Sequence, residues 1–159
     1  MIVNMMVDLS ASFVTDDEAR LLTAAGLSLE HRRGATERDL VWIQATFGGE
    51  WHNESAAGWN WFARHADGET AGFCTYGQRS YRWWWIEHWI DQPDVGIFGP
   101  MGVGQSSRGR QVGRILARRA LASMKSDGLA RAVIAAAGPI EFYEHCCGAV
   151  VVERLERPV

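Results

Sequence analysis

The sequence has few of the residues that build disulfide-linked or metal-binding proteins. Its three cysteines are an odd number and none forms a Cys-x-x-Cys pair, which argues against a disulfide framework and favours buried, reduced thiols. The five histidines are scattered without ligand spacing, and no Ser-His-Asp order indicates a hydrolase triad. We therefore expect a protein that uses no metal.

Long apolar runs are also missing. None approaches the roughly 18 residues of a membrane span, and the N-terminus has no basic region followed by a long apolar stretch. The sequence thus predicts a cytoplasmic protein with no membrane partner. Its 159 residues are 47% hydrophobic and 22% charged and contain no repeat or low-complexity linker, so we expect one folded domain over residues 1–159.

Lysine occurs once among sixteen basic residues, and the formal net charge of −3 is unevenly distributed. Residues 1–107 hold 14 acidic and 7 basic residues, net −7, whereas residues 108–159 hold 5 acidic and 9 basic residues, net +4. The stretch from Arg108 to Lys125 has six basic residues and no acidic one. Such a stretch suits an anionic ligand, but the acidic remainder argues against a face that binds nucleic acid.

Helix caps, apolar spacing and glycine stops predict an α/β order of elements. Predicted helices cover residues 16–25, 36–47, 54–64, 110–126 and 139–145, and predicted strands cover 27–31, 70–76, 81–90, 95–103, 130–136 and 149–155. Strands 70–76 and 81–90 are predicted to form a hairpin. Strand 95–103 contains Pro100, which indicates a bulge, an edge or a splayed end.

The segment GPMGVGQSSRGRQVGRIL, residues 99–116, leads from a strand through a Gly- and Ser-rich turn into an Arg-rich helix. The free N–H groups and the positive dipole of such a helix start can bind a phosphate, and arginines add charge-assisted hydrogen bonds. The alternative is an ordinary solvated turn. The segment is therefore the candidate anion site of the sequence.

Residues 108–113, Arg-Gly-Arg-Gln-Val-Gly, resemble the cofactor motif Gln/Arg-x-x-Gly-x-Gly/Ala of the GCN5-related N-acetyltransferase (GNAT) superfamily. The match holds at the first and last positions, with Gln111 where the motif has its middle Gly, so a Cβ lies where the family leaves the backbone bare. The resemblance implies that acetyl-coenzyme A (acetyl-CoA) binds here. The cofactor-binding residues that it implies are Met101, Gly102, Val103, Arg108, Gly109, Arg110, Gln111, Val112, Gly113 and Arg114.

The resemblance extends over about residues 95–155. It implies a mixed, mostly antiparallel central sheet with helices on both faces, in which the family's fourth and fifth strands splay apart. Residues 98–103 are similar to the splayed strand, and the backbones of Met101 and Val103 would pair with the pantetheine arm of the cofactor as an added strand does. Residues 1–94 would then bind the acceptor, and residues 95–155 would bind acetyl-CoA.

The segment AGPIEFYEHCCGA, residues 137–149, is similar to the family's closing helix and strand. In that family a Tyr at this place often protonates the departing thiolate of coenzyme A, which implies that role for Tyr143. As the base that accepts the proton of the amine we predict Glu87, with His88 and Asp94 behind it. An ordered water molecule is the alternative base.

All eight tryptophans precede residue 90. The run Trp83-Trp84-Trp85 cannot lie wholly in the core, because neighbouring strand residues point to opposite faces. We predict that Trp83, Trp85, Glu87 and Asp94 bind a cationic acceptor through ring faces and carboxylates. The alternative is a Trp-rich core with a homodimer surface.

The predicted function is that of an acyl-CoA-dependent N-acetyltransferase. The enzyme would move an acetyl group by direct transfer from acetyl-CoA to the primary amine of a small, cationic molecule, such as an aminoglycoside-like antibiotic or a polyamine. The alternative is a non-catalytic or regulatory acyl-CoA-binding module of the same fold.

Overall fold

Seven strands pair into one sheet in the computed structural model, which describes residues 1–159. The strands are β1 (Ile2–Asp8), β2 (Ser28–Arg33), β3 (Trp59–Arg64), β4 (Thr70–Tyr76), β5 (Val95–Val103), β6 (Arg131–Ile134) and β7 (Val150–Leu155). Their order across the sheet is β2-β3-β4-β5-β6-β1-β7, and only the β5–β6 pair is parallel. The predicted mixed, mostly antiparallel sheet is confirmed.

The helices are α1 (Glu18–Ala25), α2 (Glu37–Phe47), α3 (Trp51–Ala57), α4 (Glu87–Ile90), α5 (Val112–Ser126) and α6 (Ile140–Cys147). They cover both faces of the sheet. Successive strand residues point to opposite sides, so the strands present apolar side chains to helices on each face. On one face, Ala63 and Phe98 pack with the apolar stripe of α5; on the other, Phe62 packs with Ile43 of α2. None of these helices combines the length and the apolar character that crossing a bilayer requires.

The parallel partners β5 and β6 differ in length. β5 pairs with β6 only over Val95–Phe98, whereas its antiparallel pairing with β4 continues to Val103. Beyond Phe98 the chain passes through Gly99, whose φ of +114° favours glycine, and the register with β4 shifts at the same place. β6 ends at Ile134. A gap therefore opens between the two strands, and these are the splayed pair that the resemblance implied.

The sequence patterns did not predict β1, which lies between β6 and β7 and is antiparallel to both. Its side chains alternate, since Met5 and Val7 pack on the α5 side of the sheet and Met6 packs on the α4 side. Because both faces of β1 are covered, residues 2–7 carry apolar side chains at nearly every position. This short apolar run was the available signal for a strand.

The predicted helix over residues 54–64 is confirmed only at its start, and residues 59–64 form a strand instead. The helix α3 ends at Ala57, and Gly58 separates it from β3, which pairs with β2 on one side and β4 on the other. Trp59 is exposed, whereas the neighbouring Asn60 is fully buried, and burial at the start of β3 follows this two-residue alternation. Aromatic residues with that period favour a strand.

The predicted strand over residues 81–90, and its hairpin with residues 70–76, are also wrong. β4 has β3 and β5 on its two sides, which leaves no edge for a hairpin partner. Residues 84–86 form a turn that leads into the short helix α4. Ile86 and Ile90 are four residues apart, and both are buried against Val95 and Ile97. Their spacing is that of one helix face rather than of a strand.

A buried ion pair holds α2 against the sheet. Asp39 is 1% exposed and accepts hydrogen bonds from Arg64 of β3, at 2.8 and 3.1 Å, and from the hydroxyl of Thr70, at 2.6 Å. Burial alone would raise the pKa of Asp39, but the hydrogen bonds from Arg64 and Thr70 lower it well below its usual range. The carboxylate therefore stays charged. At its other end α2 packs on the first residue of α3, since the ring of Phe47 lies 5.1 Å from that of Trp51.

Candidate active site

The gap between β5 and β6 contains a cavity of about 170 Å³, which we call the central cavity. Its walls come from four parts of the chain: Trp51 and Glu54 of α3, Trp85 before α4, residues 98–101 of β5, and residues 134–136, Gly138 and Tyr143 between β6 and α6. The cavity therefore lies where the two halves of the sequence, residues 1–94 and 95–155, meet.

The backbone of β5 presents hydrogen-bonding groups to the gap. Gly104 N–H donates to the carbonyl oxygen of Ala71 at 2.7 Å, and in an antiparallel ladder such residues alternate with residues whose N–H and C=O point the other way. Met101 and Val103 therefore direct their backbone groups away from β4. The carbonyl oxygen of Val103 accepts a hydrogen bond from Arg108 Nε at 3.2 Å, in keeping with this direction. An extended ligand can pair with this edge as an added strand does.

A second cavity, of about 320 Å³, lies at the N-terminus of α5, and we call it the anion cavity. It is lined by Val103, Ser107, Arg108, Gly109, Gln111, Val112, Gly113, Arg114 and Phe142. The first N–H groups of this 15-residue helix have no partner within the helix, and two arginines add positive charge beside them. The arrangement suits a phosphate group. Arg110 is exposed and does not line the anion cavity.

Two of the predicted glycines have different roles. A Cβ at Gly113 would lie 3.5 Å from side-chain carbons of Met101 and Phe142, so a bulky side chain there would enter the anion cavity. A Cβ at Gly102 would instead overlap the ring of Phe47, the last residue of α2. Gly102 therefore allows α2 to pack closely on β5 and does not line either cavity.

Gln111, which replaces the middle glycine of the motif, has the backbone conformation that glycine favours. Its φ and ψ are 68° and 11°, in the left-handed region, and its carbonyl oxygen accepts the first hydrogen bond of α5 from Ile115 N–H at 3.1 Å. A residue with a Cβ adopts this conformation at a cost of roughly 1–2 kcal/mol. The substitution therefore changes the energy of the turn and keeps its glycine-like geometry.

Tyr143 lies on α6 with 7% of its surface exposed, and it lines the central cavity. Its ring packs edge to face against Phe98 of β5, with 5.9 Å between ring centroids. Burial, together with the nearby thiols of Cys74 and Cys146, raises the pKa of Tyr143 above its usual range. The phenol is therefore protonated at neutral pH, which is the form that can donate a proton.

Glu54 is the carboxyl group that lines the central cavity, and the sequence analysis did not assign it as the base. Its Oε1 accepts hydrogen bonds from Trp83 Nε1 at 3.1 Å and from Gln78 Nε2 at 3.3 Å. Burial raises the pKa of Glu54 to about 7, although the hydrogen bond from Trp83 opposes this shift. Glu54 follows Trp51 by three residues, so both side chains lie on one helix face; this spacing was the available signal.

The predicted residues Trp83 and Trp85 stack with Tyr81 in a row that we call the aromatic wall. Trp85 lines the central cavity, and Trp83 stacks on it with 5.4 Å between ring centroids and 5° between ring planes. Tyr81 stacks on the other side of the row, 5.7 Å from Trp83. Trp84 meets Trp85 edge to face. Trp83, the middle ring of the row, donates a hydrogen bond to the carboxylate of Glu54, which therefore lies beside the aromatic wall.

The two predicted carboxylates Glu87 and Asp94 lie outside the central cavity. Glu87 was expected on a strand beside the splayed one, but it begins α4, is 58% exposed and forms an ion pair with Arg82 at 3.5 Å. Asp94 precedes β5 and pairs with Arg131 at 3.1 Å. No three His, Cys, Asp or Glu side chains are grouped so that they could hold a metal ion.

A family model described as the Acetyltransferase (GNAT) family matches residues 26–149. Among solved structures, the fold is similar to a GCN5-related glucosamine N-acetyltransferase region of a fungal multi-domain GH3 β-N-acetylglucosaminidase, with a TM-score of 0.73 at 16% identity. It is also similar to a putative GNAT-family acetyltransferase from Novosphingobium aromaticivorans, with a TM-score of 0.59 at 17% identity. A GCN5-related N-acetyltransferase from Kribbella flavida gives a TM-score of 0.57 at 15% identity.

The similarity covers 95%, 95% and 94% of this chain, but only 20%, 60% and 54% of the three solved chains. The chain therefore spans less than two thirds of the length of each of these proteins. At identities this low the likeness concerns the fold. No curated protein sequence matches the chain.

Replacing Gln111 with glycine should stabilise the fold by about 1 kcal/mol, because glycine adopts the left-handed conformation without the steric cost of a side chain. Denaturant unfolding measures the change. Gln105→Gly is the matched control: Gln105 lies in the 3-10 turn before α5 without a positive φ, so glycine there should destabilise the fold. Equal destabilisation by both variants would contradict this account of the turn.

Proposed function

The chain belongs to the GNAT acetyltransferase family, and from this premise we propose that it transfers an acetyl group from acetyl-CoA to the primary amine of a small acceptor. One observation carries the proposal. The central cavity is lined by the carboxyl group of Glu54, whose pKa burial raises to about 7, and by the phenol of Tyr143, whose pKa burial raises further above neutrality. A pair of groups whose environments separate their pKa values can serve as base and acid of one reaction.

Acetyl-CoA would bind in the two cavities and along the strand edge of residues 101–103, which contributes Met101 to the central cavity and Val103 to the anion cavity. The anion cavity would hold its pyrophosphate through the N–H groups at the start of α5 and through Arg108. The backbones of Met101 and Val103 would pair with the pantetheine arm, which leads into the central cavity. When bound, the thioester supplies an activated acetyl group there.

In the proposed reaction, Glu54 accepts a proton from the ammonium group of the acceptor, and the neutral nitrogen then forms a bond to the thioester carbonyl carbon and releases its surplus proton to solvent. As the carbon–sulfur bond breaks, Tyr143 donates its proton to the leaving sulfur, so the products are the amide and the free thiol of coenzyme A. Solvent returns a proton to Tyr143 and removes one from Glu54. Glu54 thus takes the role that the sequence analysis gave to Glu87.

The acceptor that suits this site is a cationic amine. The indoles of Trp83 and Trp85 offer ring faces, and Glu54 offers a negative charge beside them. An aminoglycoside-like antibiotic or another amino sugar, and a polyamine, carry such amines and belong in the first substrate panel. We also keep a cytoplasmic location, a homodimer and the absence of nucleic-acid and membrane partners as predictions.

Two features of the site favour transfer over the non-catalytic alternative. Gln111 holds the glycine-like conformation that the motif requires, and the hydroxyl-bearing ring of Tyr143 lines the central cavity. The raised pKa of Glu54, in a cavity that Tyr143 also lines, favours an acid–base role over binding alone.

Arg108→Ala should weaken acetyl-CoA binding by roughly tenfold or more, because a charge-assisted hydrogen bond contributes about 1.5–3 kcal/mol. Arg110→Ala is the matched control and should bind acetyl-CoA like the parent, since Arg110 does not line the anion cavity. Calorimetry gives the affinities, and the rise in melting temperature with acetyl-CoA checks them. Equal losses in both variants would mean that only general positive charge matters. A parental thermal shift in Gly113→Trp would place the cofactor elsewhere.

A thiol-release assay with acetyl-CoA and a panel of amines should show turnover on at least one amine, with the acetylated product identified by mass spectrometry. Tyr143→Phe keeps the ring and removes the proton, so turnover should fall by roughly 10²–10⁴ while acetyl-CoA binding is retained. Tight acetyl-CoA binding by the parent without turnover on any amine would favour the non-catalytic module.

Glu54→Gln should remove the rise of kcat/KM that the parent shows as pH increases through about 7, because only deprotonated Glu54 accepts the amine proton. Two acceptors whose amines differ in pKa distinguish titration of the enzyme from titration of the substrate: the rise near pH 7 should be common to both. A rise that follows the amine pKa instead would remove Glu54 as the base.

The same variant tests the pKa of Glu54 without an assay of activity. Because the folded-state pKa is raised above the unfolded value, the folded protein holds this proton more tightly, so the parent loses stability as pH rises from about 4.5 to about 7. Glu54→Gln lacks this loss. Its stability relative to the parent should therefore increase across that range, as measured by denaturant unfolding at several pH values.

A further inference from the structure

Asn4 is a fully buried polar residue of β1, the strand that sequence patterns did not predict. It follows the two-residue alternation of β1, so it lies on the same face as Met6, the face that carries α4. A buried amide is stable only when its donors and acceptor are satisfied. All of the partners of Asn4 lie far away in the sequence.

Two of these partners belong to residues that line the central cavity. Asn4 Nδ2 donates to the carbonyl oxygen of Trp85 at 2.7 Å, and Asn4 Oδ1 accepts from Ala136 N–H at 2.9 Å. Ala136 has a φ of 47°, a left-handed conformation that is uncommon for a residue with a Cβ and costs energy to hold. One side chain thus fixes both the aromatic wall and the turn after β6.

The third partner links the same amide to α4. Asn4 Nδ2 also donates to Glu153 Oε1 of β7 at 2.6 Å, and that carboxylate accepts hydrogen bonds from Trp89 Nε1 at 2.7 Å and from His88 Nε2 at 2.8 Å. Burial would raise the pKa of Glu153, but these hydrogen bonds lower it, so the carboxylate is charged at neutral pH. Trp85 and the helix α4 that follows it are therefore held from β1 and β7.

We propose that Asn4 is a positioning residue for acceptor binding: through the Trp85 carbonyl, the Ala136 amide and Glu153 it holds the aromatic wall against the central cavity. The inference rests on the proposed function, since it assigns the acceptor to that wall. It concerns a residue outside the 26–149 match to the family model. It also explains why a polar residue is buried in the otherwise apolar run at residues 2–7.

Asn4→Ala should raise KM for the acceptor by about tenfold, the effect expected from losing hydrogen bonds of ordinary strength, while KM for acetyl-CoA and the pH dependence of kcat/KM stay parental. Glu153→Gln keeps an acceptor oxygen for Asn4 and Trp89 and should behave like the parent. Glu153→Ala removes that acceptor at an edge strand and should raise acceptor KM less than Asn4→Ala. If Asn4→Ala does not fold, Glu153→Ala takes its place as the test.

Ser123→Ala is the matched control for simple loss of stability. Ser123 accepts the indole hydrogen bond of Trp61 at 3.0 Å on the α5 face of the sheet, away from the central cavity. This variant should leave the acceptor KM unchanged. An equal rise of acceptor KM in Ser123→Ala and Asn4→Ala would mean a general structural effect and would overturn the inference.

Hydrogen exchange gives a readout that needs no turnover. In Asn4→Ala, the amides of residues 82–90 and 135–137 should exchange faster than in the parent, while those of α5 keep their protection. Faster exchange over the whole sheet, or parental exchange together with parental acceptor KM, would overturn the proposal. If the parent acetylates no amine, the proposed function fails, and the exchange experiment still decides whether Asn4 holds the aromatic wall.

Discussion

The hydrogen bond from Ala135 N–H to the carbonyl oxygen of Phe98, at 3.2 Å, is the last one that joins β5 to the chain leaving β6. Beyond this hydrogen bond β5 pairs only with β4, while the segment that follows β6 turns away toward α6. This separation creates a sheet edge in the middle of the molecule. The candidate site depends on this separation. Because β6 ends before its parallel neighbour β5, the free edge of β5, the central cavity beside it and the path to it from the anion cavity all lie in the gap between the two strands.

Burial in this gap acts in the same direction on the two groups that we assign to chemistry. It raises the pKa of the carboxyl group of Glu54 into the neutral range, where a base can both accept and release protons. It raises the pKa of the phenol of Tyr143 further from neutrality, so the phenol remains a donor. One physical cause therefore produces a base and an acid, because the two groups begin from different ordinary pKa values.

The sequence predicted the residues of the anion cavity better than those of the central cavity, for a physical reason. Residues 99–116 combine a strand, a turn and a helix start that are consecutive in the chain, so local patterns are enough to indicate the anion cavity. The acceptor side is assembled from α3, the segment before α4, and β1, which meet only in the folded protein. A strand over residues 81–90 would have placed Glu87 beside the splayed strand, as a base requires. Because Ile86 and Ile90 lie on the buried face of a helix, Glu87 lies instead outside the central cavity, where it pairs with Arg82.

A crystal structure of the protein with acetyl-CoA tests the central claim most directly. The account predicts that the pantetheine arm lies between β5 and β6 and pairs with the backbones of Met101 and Val103, with the pyrophosphate at the start of α5. The thioester sulfur would then lie within hydrogen-bonding reach of the Tyr143 hydroxyl, roughly 3–3.5 Å. Acetyl-CoA bound away from the gap, or a thioester out of reach of both Tyr143 and Glu54, would contradict it.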